Sequence, residues 1–309
     1  MNLNPAECLL SHLESLGWHG RLVAASHLRE LEEEILGNHG RGLFQEEFYA
    51  ERLAWFSFQP PAELAAPESL ICVAVPAPAG RIVFHWKGLA VSLTVPPTYA
   101  GYRRTIEQVH DRLAAFLGLQ GYGVVHSQLP FKLLAVRSGL VEYGRNNIVY
   151  HRGMGSFLQL CAYYSDIPCG EDSWQEARMM ERCRSCTACV RNCPTGAIRR
   201  DRFLLSAERC ITYYNENANP LPDWLGSRWH DNLIGCMLCQ KMCPENRHAG
   251  AGFVDLVDFS DEETEQLLHA DGEESLSAAT RAKLSALALT ESLNVLMRNL
   301  TVILQDAGT

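Results

Sequence analysis

The sequence CRSCTACVRNCP, residues 183–194, places four cysteines in a short stretch that ends in proline. A second block, CMLCQKMCP at residues 236–244, has the same ending but one cysteine fewer. Cys210 lies between the two blocks. Cysteines at such short intervals can converge on one metal centre, because a single loop brings three of them together.

The first block has the spacing found in bacterial proteins with two [4Fe–4S] clusters, where three cysteines hold one cluster and the fourth serves the other. Each cluster requires four thiolates, and the cysteine between the blocks makes up the number for the second block. We therefore predict two ligand sets. Cluster one is assigned to Cys183, Cys186, Cys189 and Cys243, and cluster two to Cys193, Cys210, Cys236 and Cys239. Zinc is the alternative, but structural zinc sites usually contain two well-separated ligand pairs.

Length and composition indicate a globular protein of one large or a few smaller domains. The chain has 309 residues, of which 47% are hydrophobic and 20% charged. Its 12 cysteines do not indicate a disulfide scaffold, because the chain is long and most are assigned to clusters. The cysteines outside the two sets are expected to be small buried hydrophobic residues: Cys8, Cys72, Cys161 and Cys169.

Targeting signals and net charge limit the predicted cellular location and the predicted partners of the protein. The N-terminus lacks the regions of a secretion signal, and no apolar run is long enough to span a bilayer. We expect a cytoplasmic protein without membrane contact. The net charge of -9 argues against a nucleic-acid partner, since phosphate binding usually requires a basic surface. The basic run Arg199, Arg200 and Arg202 is interpreted as a solvated turn, with docking of an acidic electron donor as the alternative.

Apolar periodicity predicts an α+β fold in three parts. Residues 1–175 are predicted to form a mixed α/β cofactor and substrate domain, residues 176–250 a two-cluster ferredoxin-like domain, and residues 251–309 a C-terminal helical segment. Helices are predicted at residues 5–16, 27–36, 45–56, 104–117, 132–138, 261–268, 277–286 and 288–306. Strands are predicted at residues 70–75, 81–86, 89–95, 122–126, 147–150 and 157–164.

Local signals refine these elements. A short turn at Lys87 and Gly88 is expected to join two strands, and Gly139 is expected to cap the helix before it. Ser260 and the acidic residues after it resemble a capping box that starts a helix. Residues 166–182 are polar and are predicted to be irregular.

Three segments carry a resemblance to a known family. These are CRSCTACVRNCPTGAI at residues 183–198, ERCITYYNE at residues 208–216 and IGCMLCQKMCPEN at residues 234–246. Together they resemble epoxyqueuosine reductases and, more distantly, reductive dehalogenases. The resemblance continues upstream through residues 135–168, and before residue 120 only YAGYRR at residues 99–104 matches.

The resemblance implies a cobalamin beside the two clusters, because both families place a corrinoid-binding domain there. The implied corrinoid contacts are Tyr99, Asn146, Gly155 and Ser156. Glycine allows the backbone to approach a flat macrocycle, and asparagine and serine can bond its peripheral amides. An ordinary role in a turn or in the packed core is the alternative for each of them.

Three residues are candidates for catalysis. Arg145 could fix a substrate anion or polarise a leaving group, with a surface ion pair to Glu142 as the alternative. His126 is a candidate proton donor because imidazole titrates near neutral pH, and a structural histidine is the alternative. Tyr102 is the third candidate. Epoxyqueuosine reductases carry an aspartate shortly before the corresponding proline, but residues 124–130, VVHSQLP, contain no carboxylate. We therefore expect a different, smaller substrate.

The predicted function is that of an iron–sulfur oxidoreductase. It would pass low-potential electrons from reduced ferredoxin or flavodoxin through two [4Fe–4S] clusters to cobalamin, and so reduce a small organic substrate or a modified nucleoside. Two alternatives remain at this point. One is an electron-transfer protein without corrinoid that docks a partner, and the other is a reductase that uses another flat cofactor such as flavin.

Overall fold

The computed structural model describes residues 4–64, 66–225, 232–247, 249 and 252–307. Its α-helices are α1 (Pro5–Ser15), α2 (Leu28–Gly40), α3 (Glu46–Arg52), α4 (Tyr102–Gly118), α5 (Phe131–Arg137), α6 (Ala188–Asn192), α7 (Ile211–Asn215), α8 (Leu238–Lys241), α9 (Asp261–His269), α10 (Ala278–Leu287) and α11 (Leu293–Ala307). Its strands are β1 (His19–Ala24), β2 (Ser69–Pro76), β3 (Ala79–Trp86), β4 (Leu89–Val95), β5 (Val124–His126), β6 (Glu142–Tyr143), β7 (Val149–Tyr150), β8 (Leu158–Ser165) and β9 (Phe253–Phe259).

The first sheet has four antiparallel strands in the order β1-β2-β8-β5. Successive side chains of a strand point to opposite faces of the sheet. Leu70 and Cys72 of β2 therefore pack on the side of α2 and α5, whereas Ile71 and Val73 pack on the side of α1 and α4. Because helices cover both faces, every residue of β8 is buried.

The second sheet has three strands in the order β4-β3-β9. The hairpin between β3 and β4 turns at Lys87 and Gly88, which both have positive φ (50° and 80°). Two consecutive positive φ values are typical of the tight hairpin turn that matches strand twist. Strand β9 pairs with β3 in parallel, although it lies more than 160 residues further along the chain, as the pair Ala79 and Phe253 shows.

The C-terminal helices complete a separate hydrophobic core on this hairpin. Leu267 of α9, Leu284 of α10 and Leu300 of α11 pack with Ile82 and Phe84 of β3. The segment after residue 250 thus begins with a strand and shares its core with residues far upstream. The capping box at Ser260 is confirmed, since its side chain accepts from the backbone of Glu263 and the Glu263 side chain accepts from the backbone of Ser260.

The predicted α+β fold class is confirmed, and the predicted helices and strands lie within a few residues of the observed ones. Gly139, with φ +73°, follows α5 as expected. Strands β1, β6 and β9 were missing from the prediction. In strand β9, Asp255 and Asp258 interrupt the apolar residues, and most of the strand is exposed. Its sequence therefore lacks the continuous apolar run of a buried strand.

Among the described residues, no single helix is long and apolar enough to cross a membrane. Two helical segments, residues 278–287 and 290–305, are long and apolar enough only when they are taken as a pair. The chain bends by 101° between them.

Candidate iron–sulfur centre

The four cysteines assigned to cluster one line a single cavity of about 270 Å³, a volume that includes open solvent. Cys183 ends a 3-10 turn, Cys186 follows it, and Cys189 lies in α6. Cys243 reaches the same cavity from the other block, because α6 and α8 pack against each other. Burial raises the pKa of the Cys189 thiol to about 11, and the other three thiols raise it further. Such a set of close thiols suits a metal centre that binds them as thiolates.

The cysteines assigned to cluster two form a second set. Burial raises the pKa of Cys239, and the charges of Cys236 and Cys210 add to this effect. Burial also raises the pKa of Cys210, which lies within electrostatic reach of Cys193. Charge effects of this kind require short distances, so these thiols share one neighbourhood. Cys189 of the first set also acts on Cys239, so the two groups of thiols adjoin each other. The structure places the four thiols predicted for cluster one around a single cavity, and the division of the eight cysteines into two ligand sets stays a prediction.

Asn146 and Tyr150 join the two sets of cysteines. The Asn146 side chain donates to the Tyr150 hydroxyl at 2.9 Å and also bonds the Cys239 sulfur, which lowers the Cys239 pKa. The Tyr150 hydroxyl donates to Cys243. Asn146 and Tyr150 are both buried, and a Cβ on Gly144 would lie 2.5 Å from the Tyr150 ring. Asn146 thus faces cysteine sulfur and tyrosine, and not an open surface where the amides of a corrinoid would lie.

Arg145 holds the loop that carries the first block. Its guanidinium donates to the Cys183 carbonyl oxygen at 2.9 Å and 3.2 Å, and to the carbonyl oxygens of Arg184 and Arg200 at 3.3 Å. Among the described residues, the side-chain hydrogen bonds of Arg145 all go to backbone oxygens, and Glu142 is not a partner. The arrangement fixes the position of Cys183 relative to the Gly144–Asn147 turn.

Gly155 and Ser156 hold the second block in the same way. The Ser156 hydroxyl donates to Gln240 at 2.8 Å, and its backbone N–H donates to the Asn246 side chain at 2.8 Å. Gly155 has φ +56°, and a Cβ there would lie 2.4 Å from the Asn246 oxygen. These two predicted corrinoid contacts therefore pack against the residues that flank Cys239 and Cys243.

Tyr99 lies against the residue before Cys236. A Cβ on Gly235 would lie 2.6 Å from the Tyr99 ring, so only glycine permits this approach. The Tyr99 hydroxyl donates to the Glu216 carboxylate, which lies 3.5 Å from Arg52. Burial raises the pKa of Glu216 to about 7, and Arg52 opposes this. Tyr99, in the turn that follows β4, thus packs against the loop that carries Cys236.

The other two predicted catalytic residues lie elsewhere in the fold. The Tyr102 hydroxyl donates to the Leu160 carbonyl oxygen at 2.8 Å, and burial raises its pKa, so this side chain anchors the start of α4 on β8. His126 lies at the end of β5, where its ring stacks on His110 of α4 with centroids 4.3 Å apart. Its Nε2 lies 3.4 Å from a Glu107 oxygen. The contacts of His126 among the described residues are with this helix and with Tyr163, not with the cysteine sets.

Lys132, at the start of α5, has an exposed side chain and lies near a predicted ligand of cluster two. The surrounding protein lowers the pKa of its ammonium group, and the negative charge of Cys210 opposes this shift.

The C-terminal helix braces the loop that follows Cys210. Asn299 of α11 is fully buried and donates to the carbonyl oxygens of Asn215 and Leu233 at 3.0 Å and 2.9 Å. Arg298 donates to the carbonyl oxygen of Tyr214 at 3.0 Å. The helix thus ties α7 to the segment before Cys236.

Sequence reasoning missed Gln240, Asn246, Lys132 and Glu216. The first two lie inside or next to the second cysteine block, and polar side chains at such positions are a usable signal for loop bracing. No local pattern indicated a role for Lys132 or Glu216, because the residues around them belong to distant segments of the chain. All 12 cysteines lie among the described residues, and none forms a disulfide. Cys72 and Cys161 are buried as expected, whereas Cys8 and Cys169 are only partly buried.

Comparison with known proteins agrees with this geometry. A family of 4Fe-4S double cluster binding domains matches residues 182–246. Epoxyqueuosine reductase of Pseudomonas aeruginosa is 32% identical over 150 residues, which cover 48% of this chain and 40% of the relative. The enzyme of the same name from Escherichia coli is 36% identical over 117 residues, covering 38% of this chain and 30% of the relative. The matched region is thus less than half of each relative.

Solved structures show the same fold over nearly the whole chain. Epoxyqueuosine reductase from Streptococcus thermophilus has a TM-score of 0.69 at 17% identity, covering 99% of this chain and 82% of that one. An epoxyqueuosine reductase bound to a modified tRNA-Tyr stem loop has a TM-score of 0.63 at 21% identity, covering 96% and 80%. That complex does not support the expectation, drawn from net charge, that nucleic acid is excluded as a partner. The resemblance expected from the sequence is confirmed: the chain contains a double [4Fe–4S] cluster binding domain within the fold of epoxyqueuosine reductases.

Proposed function

We propose that the chain is an iron–sulfur reductase that moves single electrons through two adjacent [4Fe–4S] clusters to an acceptor bound beside them. The observation that carries the proposal is the proximity of eight cysteines within a double-cluster binding domain, four of them around one cavity. Cys189 raises the pKa of Cys239, so the sets are close enough for charge to act between them. Clusters at such a separation can pass electrons in series. The similarity to enzymes named epoxyqueuosine reductase supports reductase activity.

We place the acceptor at the surface beside Lys132. An ammonium group there would attract an anionic group of the acceptor, and it is close enough to Cys210 for electrostatic coupling. The side chains around the cysteines have a different task in this proposal. Arg145 and Ser156 hold the ligand loops in place. Asn146 bonds a cysteine sulfur, and such a bond adjusts the reduction potential of a cluster.

Cobalamin is the acceptor cofactor that the family resemblance implies. The four residues expected to contact it do not form a cradle, since each bonds or packs against the cysteine loops. These four residues therefore do not fit the role of corrinoid contacts. When bound, cobalamin would supply a strongly reducing cobalt centre.

The same observations favour a second function, an electron-transfer protein that docks a partner without holding a corrinoid. In this case the surface beside Lys132 would receive part of the partner protein. Both functions use the two clusters. They differ in what binds beside Lys132, which is the acceptor in the first function and the partner protein in the second. The electron source in both is proposed to be reduced ferredoxin or flavodoxin in the cytoplasm.

One experiment separates these functions. The full chain is purified without oxygen, its clusters are reconstituted, and it is mixed with hydroxocobalamin or flavin and then desalted. Retained corrinoid absorption supports the corrinoid reductase, and retained flavin supports a flavin enzyme. Cluster absorption with neither cofactor supports the docking protein. Zinc in place of iron would refute all three.

The substrate is tested with the reduced protein that this experiment yields. An epoxyqueuosine-modified tRNA stem loop and the free epoxyqueuosine nucleoside are each incubated with it, and the nucleoside mass is followed. We propose the smaller molecule as the substrate class, because no carboxylate lies at residues 124–130. Conversion of the stem loop but not of the nucleoside would contradict this.

A further inference from the structure

Two histidines and a glutamate meet where α4 packs against the edge strand β5. Glu107 and His110 are three residues apart on α4 and so share one face of the helix. His126 is the last residue of β5. One ligand atom from each residue, a ring nitrogen or a carboxylate oxygen, lies within 4.8 Å of the other two. None of the three belongs to the predicted cluster ligands.

The distances fit a small metal ion after modest side-chain rotation. With metal–ligand bonds of about 2.0–2.1 Å, two ligands of a tetrahedral zinc ion lie about 3.4 Å apart. The Glu107 oxygen and the His126 Nε2 are already 3.4 Å apart. The rings of His110 and His126 stack at 4.3 Å, so His126 must tilt toward the ion. Its side chain is 41% exposed at a sheet edge, which leaves room for this movement.

The environment of His110 resembles that of a metal-bound imidazole. Its Nε2 lies 3.3 Å from the Val124 carbonyl oxygen. Metal-binding histidines usually donate their other N–H to such an acceptor, which fixes the tautomer and leaves one nitrogen with a free lone pair. Here the free nitrogen is Nδ1. The carboxylate of Asp111 lies 3.8 Å from this Nδ1 and is 82% exposed.

We propose that Glu107, His110 and His126 form a binding site for a divalent transition-metal ion, with zinc as the best match. Two imidazoles and one carboxylate are a common zinc donor set, and a fourth position is left for water or for Asp111. This role for His126 differs from the proton donor expected from the sequence. The competing explanation is a histidine–carboxylate ion pair without metal, which predicts no zinc binding at these residues.

The test uses untagged full-length protein with both clusters assembled, so that the thiols are occupied. Zinc chloride is titrated by calorimetry. The wild type binds one ion per chain, and His126→Ala and His110→Ala each weaken binding at least tenfold. His269→Ala is the matched control, because His269 forms an exposed pair with Glu265 at 3.0 Å and no third ligand joins this pair within the described part of the chain. This control binds zinc like the wild type.

Cobalt supplies a second measurement that excludes stray thiol binding. Cobalt at the proposed site shows visible ligand-field bands without the strong thiolate charge-transfer absorption that cysteine ligation produces. Glu107→Gln, at a side chain that is 67% exposed, keeps the fold intact and still weakens binding. The proposal is overturned by the absence of zinc binding, by unchanged affinity in the Glu107→Gln and His126→Ala variants, or by thiolate absorption in the cobalt spectrum.

Discussion

The side-chain amide of Asn146 donates a hydrogen bond to the hydroxyl of Tyr150 at 2.9 Å, and this pair lies between the two sets of cysteines. On one side Asn146 bonds Cys239, and on the other Tyr150 bonds Cys243. The Asn146 oxygen accepts from the backbone of Ile148 at 3.3 Å, which fixes the orientation of the amide. A chain of hydrogen bonds thus joins a ligand of cluster one to a ligand of cluster two.

Removing the Tyr150 hydroxyl should lower the reduction potential of cluster one. Tyr150→Phe loses the hydrogen bond to Cys243, and such bonds stabilise the reduced, more negative cluster. A hydrogen bond to a charged group is worth about 1.5–3 kcal/mol, and only part differs between redox states, so we expect a shift of tens of millivolts. Redox titration followed by electron paramagnetic resonance measures it. Tyr164→Phe, at a buried tyrosine that packs in the core with α2 and α5, is the control and should leave both potentials unchanged.

Cys210→Ser should remove one cluster and leave the other. We expect iron to fall from about eight to about four atoms per chain, since each cluster contains four. Iron analysis and the cluster absorption of anaerobically reconstituted protein provide the measurement. Cys169→Ser, at a partly buried thiol outside both sets, should keep the full iron content. Equal iron loss in the two variants would contradict the ligand assignment.

Gly155→Ala should destabilise the protein more than a matched substitution at Gly121. Both glycines have positive φ (56° and 84°), so alanine costs about 1–2 kcal/mol of backbone strain at either position. Only at Gly155 would the new Cβ also meet a neighbour, the Asn246 oxygen at 2.4 Å, whereas nothing lies within 4 Å at Gly121. Thermal unfolding of both variants measures the difference. Similar melting temperatures would show that the loop carrying the second cysteine block accommodates the added Cβ at little cost in stability.

Glu216 should make the protein less stable as the pH rises from about 4.5 to about 7. Burial raises the pKa of this carboxyl from its ordinary 4.5 to about 7. The folded state therefore binds a proton that the unfolded chain has released in this range, and its stabilising effect is lost as the pH passes the folded-state pKa. Glu216→Gln should flatten the decline in melting temperature between pH 4.5 and 7. A slope identical to that of the wild type would show that Glu216 ionises normally.

The cysteine spacing predicted a double-cluster domain, because the ligand loops are local and their geometry depends on a few adjacent residues. The longer helices and most strands could be predicted because their apolar residues recur at regular intervals, whereas the short helices α6, α7 and α8 were not predicted. The strands that were not predicted have weak local signals, and β9 can be recognised as a strand only because it pairs with β3. The polar residues beside the clusters could not be assigned correctly from a motif, since their partners lie far away in the chain.

By itself, the sequence determined the presence of a double-cluster domain and the α+β class, since both rest on residue spacing. The tertiary structure decided what Asn146, Gly155 and Ser156 touch, and it brought His126 to Glu107 and His110 on α4. These contacts join segments that are separated by up to about ninety residues. No local pattern encodes them, because they depend on how the sheets and helices pack around the cysteine loops.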